Sequence, residues 1–213
     1  LVDQAGLCVS LRVYGRIIHI SLSIHYLVPF PVDYGTSGNR HFEDVRIVGI
    51  FDSSEQEKWE ALKWLPHVWD ENRQYRMLAF DKANAHNLCD MFNDVLKKRR
   101  EELKDSYSAA NNTPRPYYIF IFGSKEMVEK EEIMQNLFVN DPAMGVTSLF
   151  LFNDMYMLPL DCRSIVDVDN GPCVYDRNEA NNKFYFTMDP ALDDIKWDLF
   201  ARRMSAVSAG VKA

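Results

Sequence analysis

Three short stretches of the chain are almost wholly apolar: 45–51 (V-R-I-V-G-I-F), 117–122 (Y-Y-I-F-I-F) and 148–152 (S-L-F-L-F). A strand with one face in water alternates apolar and polar residues, whereas a strand apolar at every position has to be covered on both faces. Runs of this kind, separated by helical patterns, predict an α/β chain with a mostly parallel sheet flanked by helices. The first helical pattern opens at Ser54 and Glu57, spaced as a capping box, carries Trp59, Leu62 and Trp64, and has to stop before Pro66. A second, over about 85–104, aligns Leu88, Phe92, Val95, Leu96 and Leu103. A third covers about 125–138, with Val128, Ile133, Met134 and Leu137 as its apolar positions. The last follows Asp189-Pro190, an N-cap with proline at the first helical position, and carries Ile195, Leu199, Phe200 and Met204. Further strands are expected at 163–168 and as a hairpin formed by 173–175 and 184–186, while 105–116 reads as a surface loop and the best candidate for disorder.

The N-terminal part alternates instead. Leu7, Val9, Leu11 and Val13, then Ile18, Ile20, Leu22, Ile24 and Tyr26, flank Gly15 and predict an N-terminal β-hairpin with one wet face. His19 and His25 share its polar side but lie roughly 20 Å apart along a strand, too far to hold one metal ion. Residues 29–41 are rich in Pro, Gly and polar turn formers and read as a loop. The expected organisation is therefore a hairpin segment at 1–34 followed by an α/β domain at 35–213.

Composition narrows the function. The 24 Lys+Arg against 31 Asp+Glu give a net charge of −7, which opposes general nucleic-acid binding. The cysteines, Cys8, Cys89, Cys162 and Cys173, form no C-x-x-C pair and read as buried thiols of a reducing compartment. No apolar run is long enough to span a bilayer and no signal-peptide pattern opens the chain, so a membrane link is expected only through transmembrane helices outside it.

Phosphate chemistry needs a backbone cradle, a lysine and an acidic residue at a strand end to hold magnesium. The chain has no G-x-x-x-x-G-K-[ST]; G-T-S-G-N at 35–39 has glycines without the lysine, and the strand at 117–122 runs into Gly123-Ser124-Lys125 rather than into carboxylates. Asp52 is acidic at a strand end, but Ser53 and Ser54 after it favour helix capping. D-V-D-N-G at 167–171 begins like a calcium loop with its glycine one place early, and reads as a polar turn. Lys97-Lys98-Arg99-Arg100 is followed at once by Glu101-Glu102, a solvated helix face with an acidic-partner or phosphate patch as the sharper alternative. K-W-L-P-H-V-W-D at 63–70 sets His67 beside Pro66 between Trp64 and Trp69; with no second ligand at metal spacing, His67 reads as a structural residue of a tight corner.

The order of motifs carries a resemblance. Trp64-Leu65-Pro66-His67 with Trp69, then Arg76-Met77-Leu78-Ala79, a helix ending in Lys98-Arg99, Pro116-Tyr117 and the following Y-I-F-I, G-V-T-S-L-F-L at 145–151, Leu158-Pro159 with Cys162, and F-A-R-R-M at 200–204 together resemble the FtsK/SpoIIIE-type ATPases of type VII secretion systems, the EssC (YukB) family. The resemblance covers about 45–208 and is to the ATPase-like domain between the membrane anchor and the first conventional ATPase module. It implies a RecA-like, P-loop NTPase-like sheet and a regulatory or coupling domain of a protein-secretion motor at the cytoplasmic face of the bacterial membrane. Its implied partners are neighbouring ATPase modules and the membrane part of the same protein, other secretion components, and a hexamer of the full protein. ATP and magnesium are then expected in the adjoining modules and none in this segment. Two departures bear on this: the family would fit a strand, a glycine loop and a helix before residue 45, where only eighteen residues follow Tyr26, and Gly123-Ser124 replace its carboxylates. No catalytic residue and no metal ligand is carried over. An active ATPase with a divergent loop and a DNA-translocase module are the alternatives.

Overall fold

In the computed structural model, the described residues are 8–12, 45–105, 115–138, 144–168, 171–187 and 194–205. Their strands are β1 (Cys8–Arg12), β2 (Val45–Ile50), β3 (Leu78–Ala79), β4 (Tyr117–Phe122), β5 (Val146–Phe150), β6 (Ser164–Asp167), β7 (Cys173–Asp176) and β8 (Phe184–Tyr185). They form one sheet in the order β3-β2-β4-β5-β1-β6-β7-β8. The first six in that order are mutually parallel, and β7 and β8 close one edge as an antiparallel pair. The mostly parallel sheet expected from the apolar runs is present, as is the hairpin of β7 and β8.

Alternation along the central strands sorts the side chains into two cores. Val48, Ile50, Tyr118, Phe120, Phe122 and Phe150 face one way, toward helix α2 (Lys82–Asp105), which contributes Ala85, Leu88, Cys89, Phe92 and Leu96. Ile47, Phe51, Tyr117, Ile119, Ile121 and Leu149 face the other way, under Leu62, Leu65 and Val68 and under Ala201 of helix α5 (Asp194–Ser205). On the α2 side the rings interlock: Phe92 meets Phe120 edge-on at 5.3 Å, Phe120 stacks on Phe122 at 5.9 Å, and Phe122 stacks on Phe150 at 5.0 Å.

Several local expectations change. The helix expected after Ser54 is a succession of short pieces: a 3-10 turn at Ser53–Glu55, helix α1 (Gln56–Trp59), a 3-10 turn at Glu60–Trp64 and another at Pro66–Val68. Its N-cap is Asp52, whose Oδ1 accepts the Ser54 N–H at 2.8 Å, so the capping box of Ser54 and Glu57 does not form. The helix expected over 125–138 is broken into α3 (Lys125–Val128) and α4 (Ile133–Leu137). In a continuous helix Val128 and Ile133 would lie about 140° apart around the axis; the break lets both be buried on the same core. Helix α2 begins earlier than its apolar stripe, at Lys82, because Asp81 accepts the Asn84 N–H on Oδ1 at 2.9 Å and the Ala85 N–H on its carbonyl at 2.9 Å.

β1 is seated inside the sheet, parallel to β5 on one edge and to β6 on the other. With both edges occupied, Cys8–Arg12 has none left for an antiparallel hairpin partner; the second strand expected at 18–26, the loop at 29–41, the glycines at 35–39, most of the 105–116 loop and the Asp189-Pro190 cap lie outside the described residues. Cys89 and Cys173 are buried free thiols as expected, but Cys162 is disulfide-bonded. No helix among the described residues is long and apolar enough to cross a membrane.

One buried cation fastens the end of the sheet where β4 and β5 begin. Arg99, 7% exposed, donates from Nη1 to the Met144 carbonyl at 3.0 Å and from Nη2 to the Pro116 carbonyl at 2.7 Å, with its guanidinium 4.7 Å from the Tyr118 ring. Burial lowers its pKa, against the opposing effects of Tyr118 and Glu102. Arg99→Met is expected to lower unfolding stability by about 2–4 kcal/mol, because the carbonyls at the starts of two strands lose a charged donor; the urea midpoint should fall with an unchanged m-value.

Candidate functional site

In an open parallel sheet, ligands bind outside the carboxyl ends of the strands. Here β2, β4 and β5 end level, with Ile50 opposite Phe122 and Phe122 opposite Phe150. Immediately beyond stand Phe51-Asp52, Gly123-Ser124 and Leu151-Phe152, tied by the Gly123 N–H to the Ile50 carbonyl at 2.8 Å and the Leu151 N–H to the Phe122 carbonyl at 2.9 Å. This is where the acidic residues of a nucleotide-hydrolysing site would stand.

An aromatic ring fills one face of that edge. Phe51 is fully buried, stacks on Trp59 at 4.3 Å and on Phe80 at 5.8 Å, and lies against two glycines. A β-carbon at Gly123 would sit 2.6 Å from Phe51 Cδ1, and one at Gly49 would sit 2.6 Å from Phe51 Cε2. Both distances are far inside contact, so the glycines are the complement of the ring. The two acids that flank the edge are engaged in local structure: Asp52 caps the turn at Ser53–Glu55, and Asp154 Oδ1 accepts the Tyr156 N–H at 2.9 Å. Hydrogen bonds from Ser54 hold the Asp52 carboxyl below its usual value. Gly123 and its surroundings therefore do not fit the role of a magnesium-holding strand end.

Beside this edge, on the α2 side, lies a groove of about 610 Å³ between α3, α4 and the segment after β5. Its floor includes Met134, Phe138 and Phe152, and its rim carries Tyr156 and Leu160, each 87% exposed, and Met157, 46% exposed. Arg177 braces that rim by donating from Nη2 to the Met155 carbonyl at 3.2 Å and from Nη1 to the Pro159 and Cys162 carbonyls.

The corner at 63–70 is placed on the opposite face. Leu65, Pro66 and Val68 are buried, the proline opening its own 3-10 turn, while Trp64 and Trp69 are half-buried against the same core. Each indole carries a guanidinium: Arg202 of α5 lies 4.4 Å from the Trp64 ring and Arg76 lies 4.2 Å from the Trp69 ring, with Arg76 Nε donating to the Lys63 carbonyl at 3.0 Å. The loop that follows closes on Asp70, whose Oδ1 accepts the N–H groups of Gln74 at 2.6 Å and Tyr75 at 2.9 Å and whose Oδ2 accepts that of Asn72 at 3.2 Å. Burial pushes the Asp70 carboxyl up, and these donors more than reverse it, leaving its pKa below the usual value. His67 is mostly buried near the Arg46 guanidinium; burial first, and the Arg46 charge second, lower its pKa from 6.5 to about 4. The structure thus brings Trp64, Leu65, Pro66, His67 and Trp69 together as a packed corner on the face of the sheet opposite the groove.

The basic run lies on an exposed helix face except at Arg99. Lys97 pairs with Glu132 at 2.8 Å, Lys98 lies 4.0 Å from Glu102, Arg99 is buried, and Arg100 donates to Asn136 Oδ1 at 3.4 Å. Of the stretch 167–171, Asp167 ends β6 and Gly171 has a φ of 98°, while residues 169 and 170 lie outside the described residues. Sequence reasoning missed the Phe51 contact with Gly123, whose partners are 72 positions apart; the only local signal was a glycine where an acid was sought.

Two outcomes follow from this geometry. Gly123→Asp is expected to lower stability by about 1–3 kcal/mol through overpacking against Phe51, with a smaller loss in a Phe51→Ala background, read by thermal and urea unfolding of the four-member cycle. For His67, the neutral ring is bound in the fold and the unfolded chain takes the proton first. Stability is therefore expected to be unaffected by this group above pH 6.5 and to fall as pH drops from 6.5 to about 4, by up to roughly 3 kcal/mol; urea unfolding across that window should show a shallower fall in His67→Gln.

No protein-family model matches the chain. It is similar to an ESX secretion system protein EccC of Geobacillus thermodenitrificans, 24% identical over 130 residues, which is 61% of this chain and 8% of that protein. Among solved structures, its fold is similar to EssC ATPases 2 and 3 from Geobacillus thermodenitrificans, with a TM-score of 0.59 and 11% identity over 94% of this chain and 43% of the other. It is also similar to Thermomonospora curvata EccC ATPases 2 and 3 in complex with a signal sequence peptide, with a TM-score of 0.57 and 10% identity over 93% and 41%. The chain is EccC/EssC-like and ATPase-like, with a sheet of the RecA-like, P-loop NTPase-like kind, and spans less than half of each of these relatives.

Proposed function

We propose that this EccC/EssC-like chain is a non-catalytic coupling domain of a type VII protein-secretion motor. The observation that carries the reading is the Phe51 ring seated on Gly123, which leaves no space for a carboxylate at the strand end where magnesium-nucleotide chemistry would need one. Asp52, Asp81 and Asp154, the acids that follow β2, β3 and β5, act as caps. The role of such a domain is mechanical. It transmits the position of one neighbour to another through packed surfaces, and its contribution is a coupling free energy between them.

The groove rimmed by Tyr156, Met157 and Leu160 is the surface suited to that work. It adjoins the strand ends, it exposes apolar side chains together, and Arg177 sets the shape of its rim. Its occupant in this reading is an adjoining ATPase-type module of the same longer protein, consistent with a chain that spans 8% of its curated relative. The assembly would stand at the cytoplasmic face of the membrane, anchored by helices outside this chain, as a hexamer of the full protein. The net charge of −7 favours a protein neighbour over a nucleic acid.

Calorimetric titration of the chain with ATP and magnesium tests the reading. No heat of binding up to millimolar ATP is the expected result; binding tighter than about 100 μM, worth roughly 5.5 kcal/mol, favours the active-ATPase alternative and overturns it.

A further inference from the structure

On the exposed side of α2, in its first turns, one histidine stands between two carboxylates. His86 and Asp90 are one helical turn apart on α2, with His86 Nε2 3.3 Å from Asp90 Oδ2. Glu131, on the connector between α3 and α4, reaches across to place Oε2 2.9 Å from His86 Nδ1. One ligand atom from each of the three side chains lies within 4.8 Å of the other two, the single such grouping among the described residues. We propose that His86, Asp90 and Glu131 form a zinc-binding site that bridges α2 to the α3–α4 connector.

The donor set favours zinc over the hard cations. One imidazole and two carboxylates match the nitrogen and oxygen ligands zinc accepts, and three protein ligands leave coordination positions for water. Calcium takes six to eight oxygens where only two side chains supply oxygen, and magnesium, a hard cation held through oxygen, makes no use of the imidazole that zinc accepts. Donor atoms around tetrahedral zinc stand about 3.3 Å apart, given bonds of about 2.0 Å. The ion takes one ring nitrogen, displacing the hydrogen bond there, and one oxygen from each carboxylate, all by side-chain rotation.

Two features make that rotation sufficient. His86 and Asp90 are more than half exposed and free to turn on a regular helix. Glu131, by contrast, is only 18% exposed, and its segment is already fixed: its N–H donates to the Val128 carbonyl at 3.0 Å, and the next residue, Glu132, is held by Lys97 at 2.8 Å and Asn93 at 3.0 Å. The third ligand is thus positioned before the metal arrives, which removes the ordering cost of closing a loop around it. In the metal-free chain the two carboxylates favour the protonated ring, first through the Glu131 hydrogen bond and then through the Asp90 charge, so zinc and a proton compete for His86.

The test is a zinc titration of the 213-residue chain at pH 7.5, followed by calorimetry and by equilibrium dialysis with metal analysis, with magnesium as the control ion. The expected result is a zinc-binding step of about one equivalent that weakens at least tenfold in each of His86→Ala, Asp90→Asn and Glu131→Gln, no response to magnesium, and a zinc-dependent rise in Tm confined to the wild-type chain. Because His86 and Asp90 are exposed and Glu131→Gln is isosteric, circular dichroism should give the same folded signal for all four proteins. Absence of zinc uptake at 100-fold excess, or a step that persists unweakened in any of the variants, overturns the proposal. The second outcome would assign the binding to the remaining histidines.

Discussion

Burial of β4 on both faces is the constraint from which most of the molecule follows. All six residues of Tyr117–Phe122 are buried, so neither face of the sheet centre can be left to solvent. The two covers are built differently. One is a long regular helix, α2, whose apolar stripe runs the length needed to seal its face. The other, among the described residues, is assembled from pieces, the 3-10 turns between Ser53 and Val68 and helix α5. Short pieces bring their own backbone donors and acceptors that need partners, and the corner around Pro66 and Asp70 satisfies many of them. The Met77 N–H donates to the Val68 carbonyl at 2.7 Å, the Asp70 N–H to the Tyr75 carbonyl at 3.1 Å, and the Asp70 carboxylate receives three more.

The same demand for cover explains why the strand-end edge is occupied by hydrocarbon. Phe51 is the first residue past β2, and it faces the assembled side, where Trp59 and Phe80 stack on it. A flat ring sandwiched in this way requires a flat surface beneath, and Gly49 and Gly123 supply one. A sheet edge that elsewhere serves chemistry is here part of the hydrophobic core. The polar groups that remain nearby are used to end strands and start turns. Exposed apolar side chains stand instead beside that edge, at the rim of the groove on the other face, in Tyr156, Met157 and Leu160.

The parallel sheet and α2 were legible because each is announced by a local pattern long enough to be unambiguous. Four to six apolar residues in a row leave no face for water, and five apolar positions at helical spacing need one continuous face. β3 was not legible: two residues cannot declare a period, and Leu78–Ala79 is a strand only because the Met77 and Ala79 carbonyls accept the N–H groups of Gly49 and Phe51. The break between α3 and α4 depends on where the core lies, which no local pattern records. The central seat of β1 is likewise a long-range fact, since alternation in 7–13 fits a hairpin as well as a strand between β5 and β6. Of the candidate site, the role of Asp52 and the corner at His67 could be read from neighbours in sequence. The ring on Gly123 and the meeting of His86 with Glu131 could not, because each joins residues tens of positions apart.

The distribution of indoles has an optical consequence. Trp59, Trp64, Trp69 and Trp197 all pack against the core on the assembled face, and none joins the α2 face, whose rings are those of phenylalanine and tyrosine. Since the chain has four tryptophans, all of its indole emission originates on one side of the sheet. Trp64 and Trp197 sense helix α5, Trp69 senses the loop closed on Asp70, and Trp59 senses the ring at the strand-end edge. The molecule therefore carries a one-sided fluorescent label of its own: loosening of the assembled cover changes its colour and intensity, whereas events confined to α2 and its groove leave that signal largely dark.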